Sequence, residues 1–480
     1  MSTVTATLKD GRTVEYLSDM IGEGGMKQVF FTADKKSVVC FFKDQNVARD
    51  PNRMARLEAI LDKYNPTTHP TMGQHYLNLF CWPTGIVIKP KFGVMTPAYD
   101  SNFFFQSGPF KGKEKVGKWF SSSKLRKMLP PEELCDWLRY LQICKRMASA
   151  IGKMHMTGLA HSDLSCNNVL IDPTKARCSV IDIDSLVVPG VYPPDVLGTP
   201  NYVAPEVLST NHLPVNDPKR ILPSNQTDLH AMAVLFYEYL LRRHPLKGPK
   251  VNSPTSAEED ERLSMGEKAL FIENPNDNSN HWSRGKGWPS LEPTCDVLGP
   301  HLKNLFHQAF VDGLHNPKAR PIATAWERAL DLSMDLIIQC GNKSCKEKWF
   351  IFIDGKKVRC PWCGWKLDRP IPVLELHYAP RKGQYRPEGR LLVCWNERVL
   401  YKWHVFTNCN PIIGADPQNQ ATVLFYNNQW ILRNDNLNSL VSSSGNPVPV
   451  KQATPLKDGD WITLSKDEKG RCVSIRIINP

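Results

Sequence analysis

The segment His161-Ser162-Asp163-Leu164-Ser165-Cys166-Asn167-Asn168 constrains this 480-residue chain more than any other. Fourteen residues later Asp182 closes the run Ser179-Val180-Ile181-Asp182, followed by Ile183 and Asp184. An H-x-D-x-x-x-x-N loop with a second carboxylate at a strand end is the set of side chains that phosphoryl transfer from ATP requires. The phase of the strand favours Asp182 over Asp184 as the residue that faces such a site.

An upstream pattern fits the same chemistry. The turn Ile21-Gly22-Glu23-Gly24-Gly25-Met26-Lys27-Gln28-Val29-Phe30 is rich in glycine, which lets backbone N–H groups approach phosphates without a Cβ in the way. An apolar strand, Val38-Val39-Cys40-Phe41-Phe42, then ends in Lys43 at the distance expected for a strand-turn-strand phosphate cover. Lys43 could reach the α- and β-phosphates if a carboxylate held it. Glu58 is the best candidate, on a helix from Pro51 to Tyr64 in which Met54, Leu57, Ile60 and Leu61 recur at helical spacing.

Residues 1 to about 97 alternate short apolar runs with turn residues and predict a strand-rich lobe with one helix. From Pro130 to Met156 the pattern is helical, with Leu134, Leu138, Leu141, Cys144, Met147, Ile151 and Met154 on one face. Residues 227–241 predict another apolar helix and 301–338 at least two more. The polar stretch Val251 to Pro289 reads as an insertion, with Glu258 to Arg262 a solvated helix start or loop.

Together these pieces resemble the protein-kinase catalytic domain over residues 15 to 336. Gly198-Thr199-Pro200-Asn201-Tyr202-Val203-Ala204-Pro205-Glu206 matches the end of a kinase activation loop, and Asp228 opens a segment similar to the central buried helix. Arg320 fits the arginine that pairs with Glu206. The resemblance implies that Asp163 accepts or orients the substrate hydroxyl proton and that Asn168 and Asp182 hold Mg²⁺. It also implies that Gly22, Gly24, Gly25 and Val29 cover the ATP, with Lys43 and Glu58 positioning it. Ser/Thr protein substrates are the expectation, and a pseudokinase scaffold that binds nucleotide and partners without transfer is the alternative.

The departures from the pattern matter as much. Lys27 replaces the third glycine of the loop. Ser162 replaces the arginine that captures an activation-loop phosphate, which predicts weak control by loop phosphorylation. Ser165 replaces a lysine that faces the transferring phosphate, which predicts reduced turnover. Ile183 and Asp184 replace the phenylalanine and glycine that follow the metal-binding aspartate.

Composition then shifts. Cys340 and Cys345, then Cys360-Pro361-Trp362-Cys363-Gly364, have the spacing of two thiolate knuckles around Zn²⁺, with a strand pair Lys348–Ile353 and Lys357–Arg359 expected between them. A disulfide pair is the other reading. After a linker at Asp368-Arg369-Pro370-Ile371-Pro372, alternating aromatic and β-branched runs predict an all-β domain. Its segments Gln429 to Asn436 and Leu456-Lys457-Asp458-Gly459-Asp460-Trp461 resemble the closing half of a forkhead-associated sandwich. The phosphothreonine-binding arginine and serine-arginine-histidine stretch of that family are missing. Gly414-Ala415-Asp416 and Asn419-Gln420-Ala421-Thr422 stand in about those places, so a degenerate partner-docking sandwich is expected.

The expected fold is therefore α+β: a bilobal protein-kinase-like domain (N-lobe 1–97, C-lobe 98–336), a zinc ribbon (337–370) and an all-β sandwich (371–480). That order resembles the bacterial kinase of the tellurium-resistance-associated phosphorylation triad. The resemblance implies a von Willebrand A-domain protein and a PP2C-type phosphatase as partners.

Composition bounds these readings. With 41% hydrophobic and 22% charged residues the chain can bury large cores. Fourteen cysteines are too few for a disulfide scaffold, and neither a signal peptide nor an apolar run of membrane-spanning length is evident, which predicts a cytoplasmic protein. The net charge of +12 is spread widely, so nucleic acid is a weak expectation, served at most by the ribbon. Lys111, Lys113, Lys115 and Lys118, then Lys124, Arg126 and Lys127, form the local clusters, read as a solvated loop or a docking surface for acidic groups.

Overall fold

A computed structural model describes residues 2–191, 197–214, 217–284, 293–381, 384–411 and 417–480. The chain forms two compact units: Met1–Cys135 with Gln142–Leu291 and Leu305–Glu327, and Asp136–Leu141 with Glu292–Asn304 and Arg328–Pro480.

The first unit opens with strands β1 (Thr3–Leu8), β2 (Thr13–Glu23), β3 (Lys27–Thr32), β4 (Ser37–Phe42), β5 (Gly85–Lys89) and β6 (Gly93–Pro97). They close into an antiparallel barrel in the order β1-β2-β3-β4-β6-β5. The period-2 alternation of β4 sets its two faces. Val39 and Phe41 join Ala6, Leu8, Tyr16, Val87 and Met95 in one cluster. Cys40 and Phe42 face the other way, packing with Ile86, Phe92 and Val94 and with Leu57 of the helix Pro51–Leu61. That helix starts where the carboxylate of Asp50 accepts the Asn52 and Arg53 amides and Pro51 pre-sets the first turn.

The predicted helix Pro130–Met156 is two helices, Pro131–Leu134 and Trp137–Met156, because Cys135 between them takes a left-handed φ of 56°. The helix Asn225–Leu241 is buried along nearly all its length, as its unbroken apolar run predicts, and ends at Arg242 in the left-handed region. Within the polar insertion, Ala257–Met265 is a helix capped by Ser256, with Glu258, Glu259 and Asp260 in the first turn, where the helix dipole favours them. The lysine cluster is not simply solvated. Lys115 is buried and paired with Glu133 at 2.6 Å, while Lys113 and Lys118 lie over the rings of Phe110 and Trp119.

A two-stranded hairpin, β7 (Val169–Asp172) and β8 (Arg177–Val180), positions the polar groups of the opening motif. Its register pairs Val169 with Val180, so residue 168 and residues 181–182 emerge at the same end, joined by the Ile181 amide donating to the Asn168 carbonyl at 3.0 Å.

The second unit contains the cysteine cluster, a two-stranded sheet and two four-stranded sheets. β9 (Ile337–Gln339) pairs with β10 (Trp349–Ile351). This corrects two expectations: the helical stretch predicted to reach 338 ends at Asp335, and the partner of the 348–353 segment precedes the first knuckle. Lys357–Arg359 is no strand; Arg359 forms only an isolated bridge with Lys366. One sheet orders β12 (Gln384–Val393), β11 (Ile371–Arg381), β18 (Arg471–Ile478) and β17 (Trp461–Thr463); the other orders β13 (Arg398–Tyr401), β14 (Asn419–Tyr426), β15 (Gln429–Asn434) and β16 (Ala453–Pro455). Alternate residues Trp430, Leu432 and Asn434 of β15 are buried, the pattern of a strand covered on one face. Asp335, ending the helix Ala323–Asp335, is buried among Arg390, Arg398 and His404 at 2.7, 3.5 and 3.0 Å.

Candidate functional site

The loop 161–168 is held from below by one carboxylate. Asp228, 1% exposed, accepts the backbone N–H of His161 at 2.7 Å and of Ser162 at 3.2 Å, and contacts His155 Nε2 at 3.0 Å. Ser162 adopts φ 63°, a strained region for a side-chain-bearing residue that the two bonds to Asp228 help to hold. His161 is fully buried and its Nε2 donates to the Ile181 carbonyl at 2.9 Å, tying the loop to the residue before Asp182.

On this frame Asp163 and Asn168 come together. Asn168 Nδ2 donates to the Asp163 carbonyl at 2.7 Å and to its Oδ2 at 2.9 Å, which turns the NH2 end of the amide, and not its oxygen, toward Asp163. The other carboxylate oxygen, Oδ1, accepts the Thr199 amide at 2.5 Å and the Thr199 hydroxyl at 2.7 Å. That hydroxyl also lies 3.2 Å from Ser165 Oγ, so serine and threonine hydroxyls occupy the neighbourhood where the family pattern has a lysine. Glu206 and Arg320 form a two-pronged ion pair, both arms 2.7 Å long, with Arg320 also donating to the carbonyls of Gln226, Gly313 and Leu314.

Asp182 takes φ 61° and stands beside Asp184, which is 7% exposed. The cation between them is Lys27. Its Nζ is 2.8 Å from Asp182 Oδ1 and 2.6 Å from Asp184 Oδ2. Burial works against the charge of Lys27, but Asp184 and then Asp182 outweigh it and raise its pKa above the ordinary lysine value. Burial alone would likewise raise the Asp182 carboxyl; Lys27, then His161 and Ser185, bring it below the usual range.

The expected pair of Lys43 and Glu58 is not formed. Lys43 pairs with Glu23 at 2.9 Å, and Glu58 pairs with Lys9. Strand phase explains it. Phe42 is the last residue of β4 and faces the Pro51–Leu61 helix, so Lys43, one residue on, leaves from the opposite face. Gly22 and Val29 pair across β2 and β3, with Gly24 closing the turn by donating to the Lys27 carbonyl at 2.9 Å; Gly25 has open space around it. Lys27 was visible in the sequence only as a lost glycine. The signal that could have found it is its position on the loop itself, opposite the apolar strand's last residue.

In the second unit Cys340, Cys345, Cys360 and Cys363 place all four sulfurs within 4.8 Å of one another. Cys340 and Cys363 are 3.5 Å apart and Cys345 and Cys360 3.9 Å, close to the edge of about 3.8 Å that a tetrahedron with zinc–sulfur bonds of about 2.3 Å requires. All four are free thiols, so the disulfide reading is not the one the fold adopts. The knuckles are shaped by the bonds from Gly364 N to the Cys360 carbonyl and from Cys360 N to the Trp365 carbonyl, with Gly364 at φ 77°. The donor set, four thiols and no hard oxygen ligand, suits Zn²⁺.

In the C-terminal all-β region Gly414-Ala415-Asp416 lie outside the described residues. Thr422 Oγ1 donates to Asp435, which Arg433 also holds at 2.7 Å. Among the described residues no helix is long and apolar enough to cross a membrane.

Residues 119–320 match the protein kinase domain family. A segment is similar to the serine/threonine-protein kinase oca2 of Schizosaccharomyces pombe, 31% identical over 141 residues, covering 28% of this chain and 19% of that protein. Another similarity is to the dual serine/threonine and tyrosine protein kinase of Apis mellifera, 29% identical over 109 residues, 23% of this chain and 10% of that protein. The chain thus spans a fifth or less of the length of these curated relatives.

Proposed function

We propose that this chain is an ATP- and Mg²⁺-dependent serine/threonine protein kinase, bilobal over residues 1–336. The observation that carries the reading is the convergence of Asp163, Asn168 and Asp182 at one end of the β7–β8 hairpin, on a loop braced by Asp228. In this reading the Asp163 carboxylate orients the substrate hydroxyl and takes its proton as the oxygen attacks. The Asn168 amide oxygen and the Asp182 carboxylate are hard oxygen donors suited to Mg²⁺, which, when bound, neutralises charge on the phosphates. Asn168 keeps its oxygen available by spending its N–H groups on Asp163. Thr199 holds Asp163 from the other side, and the Glu206–Arg320 pair anchors the segment in which the substrate peptide would lie.

The four-cysteine module is proposed as a zinc ribbon that the metal stabilises, and the sheets after it as a forkhead-associated-like sandwich for partner docking. The absence from the sequence of the phosphothreonine-binding arginine and serine-arginine-histidine stretch supports docking over phosphopeptide reading. By resemblance to the bacterial phosphorylation triad, the protein acts in cytoplasmic signalling with a von Willebrand A-domain protein and a PP2C-type phosphatase.

Incubation with γ-labelled ATP, Mg²⁺ and those partners tests the proposal. Label on serine or threonine that disappears in Asp163→Ala supports it; no transfer by the wild-type chain in any combination refutes it. One observation favours the pseudokinase alternative: Ser165 leaves hydroxyls where a cation would stabilise the transferring phosphate. That alternative expects nucleotide binding without label.

A further inference from the structure

The cation that reaches the acidic pair comes from the glycine loop and not from the strand whose lysine the spacing favours. In the β3–β4 ladder Lys27 lies directly opposite Phe42, and residues paired across an antiparallel ladder send their side chains to the same face. Phe42 shows which face that is: it packs with Cys40 and Val94 beneath the Pro51–Leu61 helix. From there the Lys27 side chain crosses over the Phe42 ring, its ammonium 5.5 Å from the ring centre, and ends between Asp182 and Asp184. Only 17% of it is exposed. Lys43 points the other way, and both it and its partner Glu23 are more than a third exposed, the setting of a solvent-screened surface pair.

We infer that Lys27 is the lysine that binds the nucleotide phosphates, delivered by the loop from the position opposite Phe42, and that Lys43 has no part in nucleotide binding. The inference deepens the kinase reading and rests on it. An ammonium carries three N–H donors. Asp182 and Asp184 take two, and the third is left for a phosphate oxygen beside the carboxylate proposed to hold Mg²⁺. Such an arrangement makes the lost third glycine of the loop a functional substitution: the loop gives up pliability at residue 27 and gains the cation. It also joins the loop to the metal-side acids through one side chain. Phe42 fills, with an apolar ring, the place from which a strand lysine would reach the same carboxylates.

The test is the Mg²⁺-dependent binding of a ribose-labelled fluorescent ATP analogue, N-methylanthraniloyl-ATP, to the full chain, with the melting temperature of each variant measured alongside. Lys27→Met should weaken binding by about tenfold or more, the loss of a charge-assisted contact to phosphate. Lys43→Met should stay within about twofold of wild type, as expected for a screened surface residue. The decisive variant combines Lys27→Gly with Phe42→Lys, returning the cation to the strand at the cross-strand position; it should recover affinity that Lys27→Gly alone lacks. Loss in Lys43→Met with none in Lys27→Met overturns the inference while leaving the kinase reading intact. Failure of the double variant to recover affinity, with a melting temperature equal to wild type, also overturns it. No binding by the wild-type chain removes the kinase reading and this inference with it.

Discussion

Replacing Asp335 by alanine is expected to loosen the C-terminal unit by several kcal/mol. Asp335 is 4% exposed and is the shared acceptor for Arg390 Nε at 2.7 Å, His404 Nε2 at 3.0 Å and Arg398 Nη2 at 3.5 Å. A carboxylate at a helix C-terminus is opposed by the helix dipole, so its place there depends on those three partners. Burial alone would raise its pKa, but His404, Arg390 and Arg398 hold it well below the usual carboxylate range. Removing it leaves the largely buried guanidinium groups of Arg390 and Arg398 without the carboxylate they share, and breaking a buried pair in this way costs about 3–5 kcal/mol. Hydrogen-exchange mass spectrometry of the full chain reads that cost locally. Peptides covering residues 384–411 should exchange about two to three and a half decades faster, since each decade is about 1.4 kcal/mol. Acceleration of less than about tenfold, the worth of a surface ion pair, would refute the argument that this cluster is a buried keystone.

Three further outcomes follow from the geometry. Wild-type protein should carry one equivalent of zinc by elemental analysis and Cys360→Ser should lose it together with protection of the 337–367 peptides; retention of metal in the variant would contradict the four-sulfur site. The C-terminal unit should weaken as pH falls from 6.5 toward 4. Tyr401 N–H donates to His404 Nδ1, so the buried ring is neutral with its proton on Nε2. Burial, against the pull of Asp335, lowers its pKa to about 4 from 6.5, so folding favours the neutral form and the stabilisation is complete above 6.5 and lost on acidification. Exchange of the 398–405 peptides that is unchanged, after correction for intrinsic rates, between pH 7 and 4.5 would contradict this. Finally, Arg320→Ala should cost about 3–5 kcal/mol in the first unit by leaving Glu206 and three carbonyls without their donor, measured as the free energy of opening of the 205–241 peptides; a loss under about 1 kcal/mol would contradict the buried-pair reading.

Local spacing carried much of the site into view. Asp163, Asn168 and Asp182 are brought together by a short hairpin whose two strands are adjacent in sequence, so their convergence follows from a loop, a strand and a turn read in order. The Glu206–Arg320 pair, 114 residues apart, was accessible only because both ends sit in recognisable segments. The expected pairing of Lys43 with Glu58 fails for a physical reason. Which face a strand-end residue leaves from depends on a one-residue phase, and the apolar run from Val38 to Phe42, apolar on both faces, hides that phase from periodicity. The Asp335 cluster was invisible because its four members are single polar residues spread over 69 positions with no local pattern to join them. The break at Cys135 escaped notice because a left-handed residue without glycine leaves no compositional mark.

The central claim is that the 161–168 loop with Asp182 transfers phosphate, and the measurement that tests it most directly separates chemistry from binding at Asp163. With saturating ATP and Mg²⁺ and the partner proteins present, Asp163→Asn should slow phosphoryl transfer by about a hundredfold or more, the contribution of a positioned base, while affinity for N-methylanthraniloyl-ATP stays that of the wild type. Equal transfer rates in the two proteins, or a wild-type chain that binds nucleotide and transfers nothing, would contradict the account.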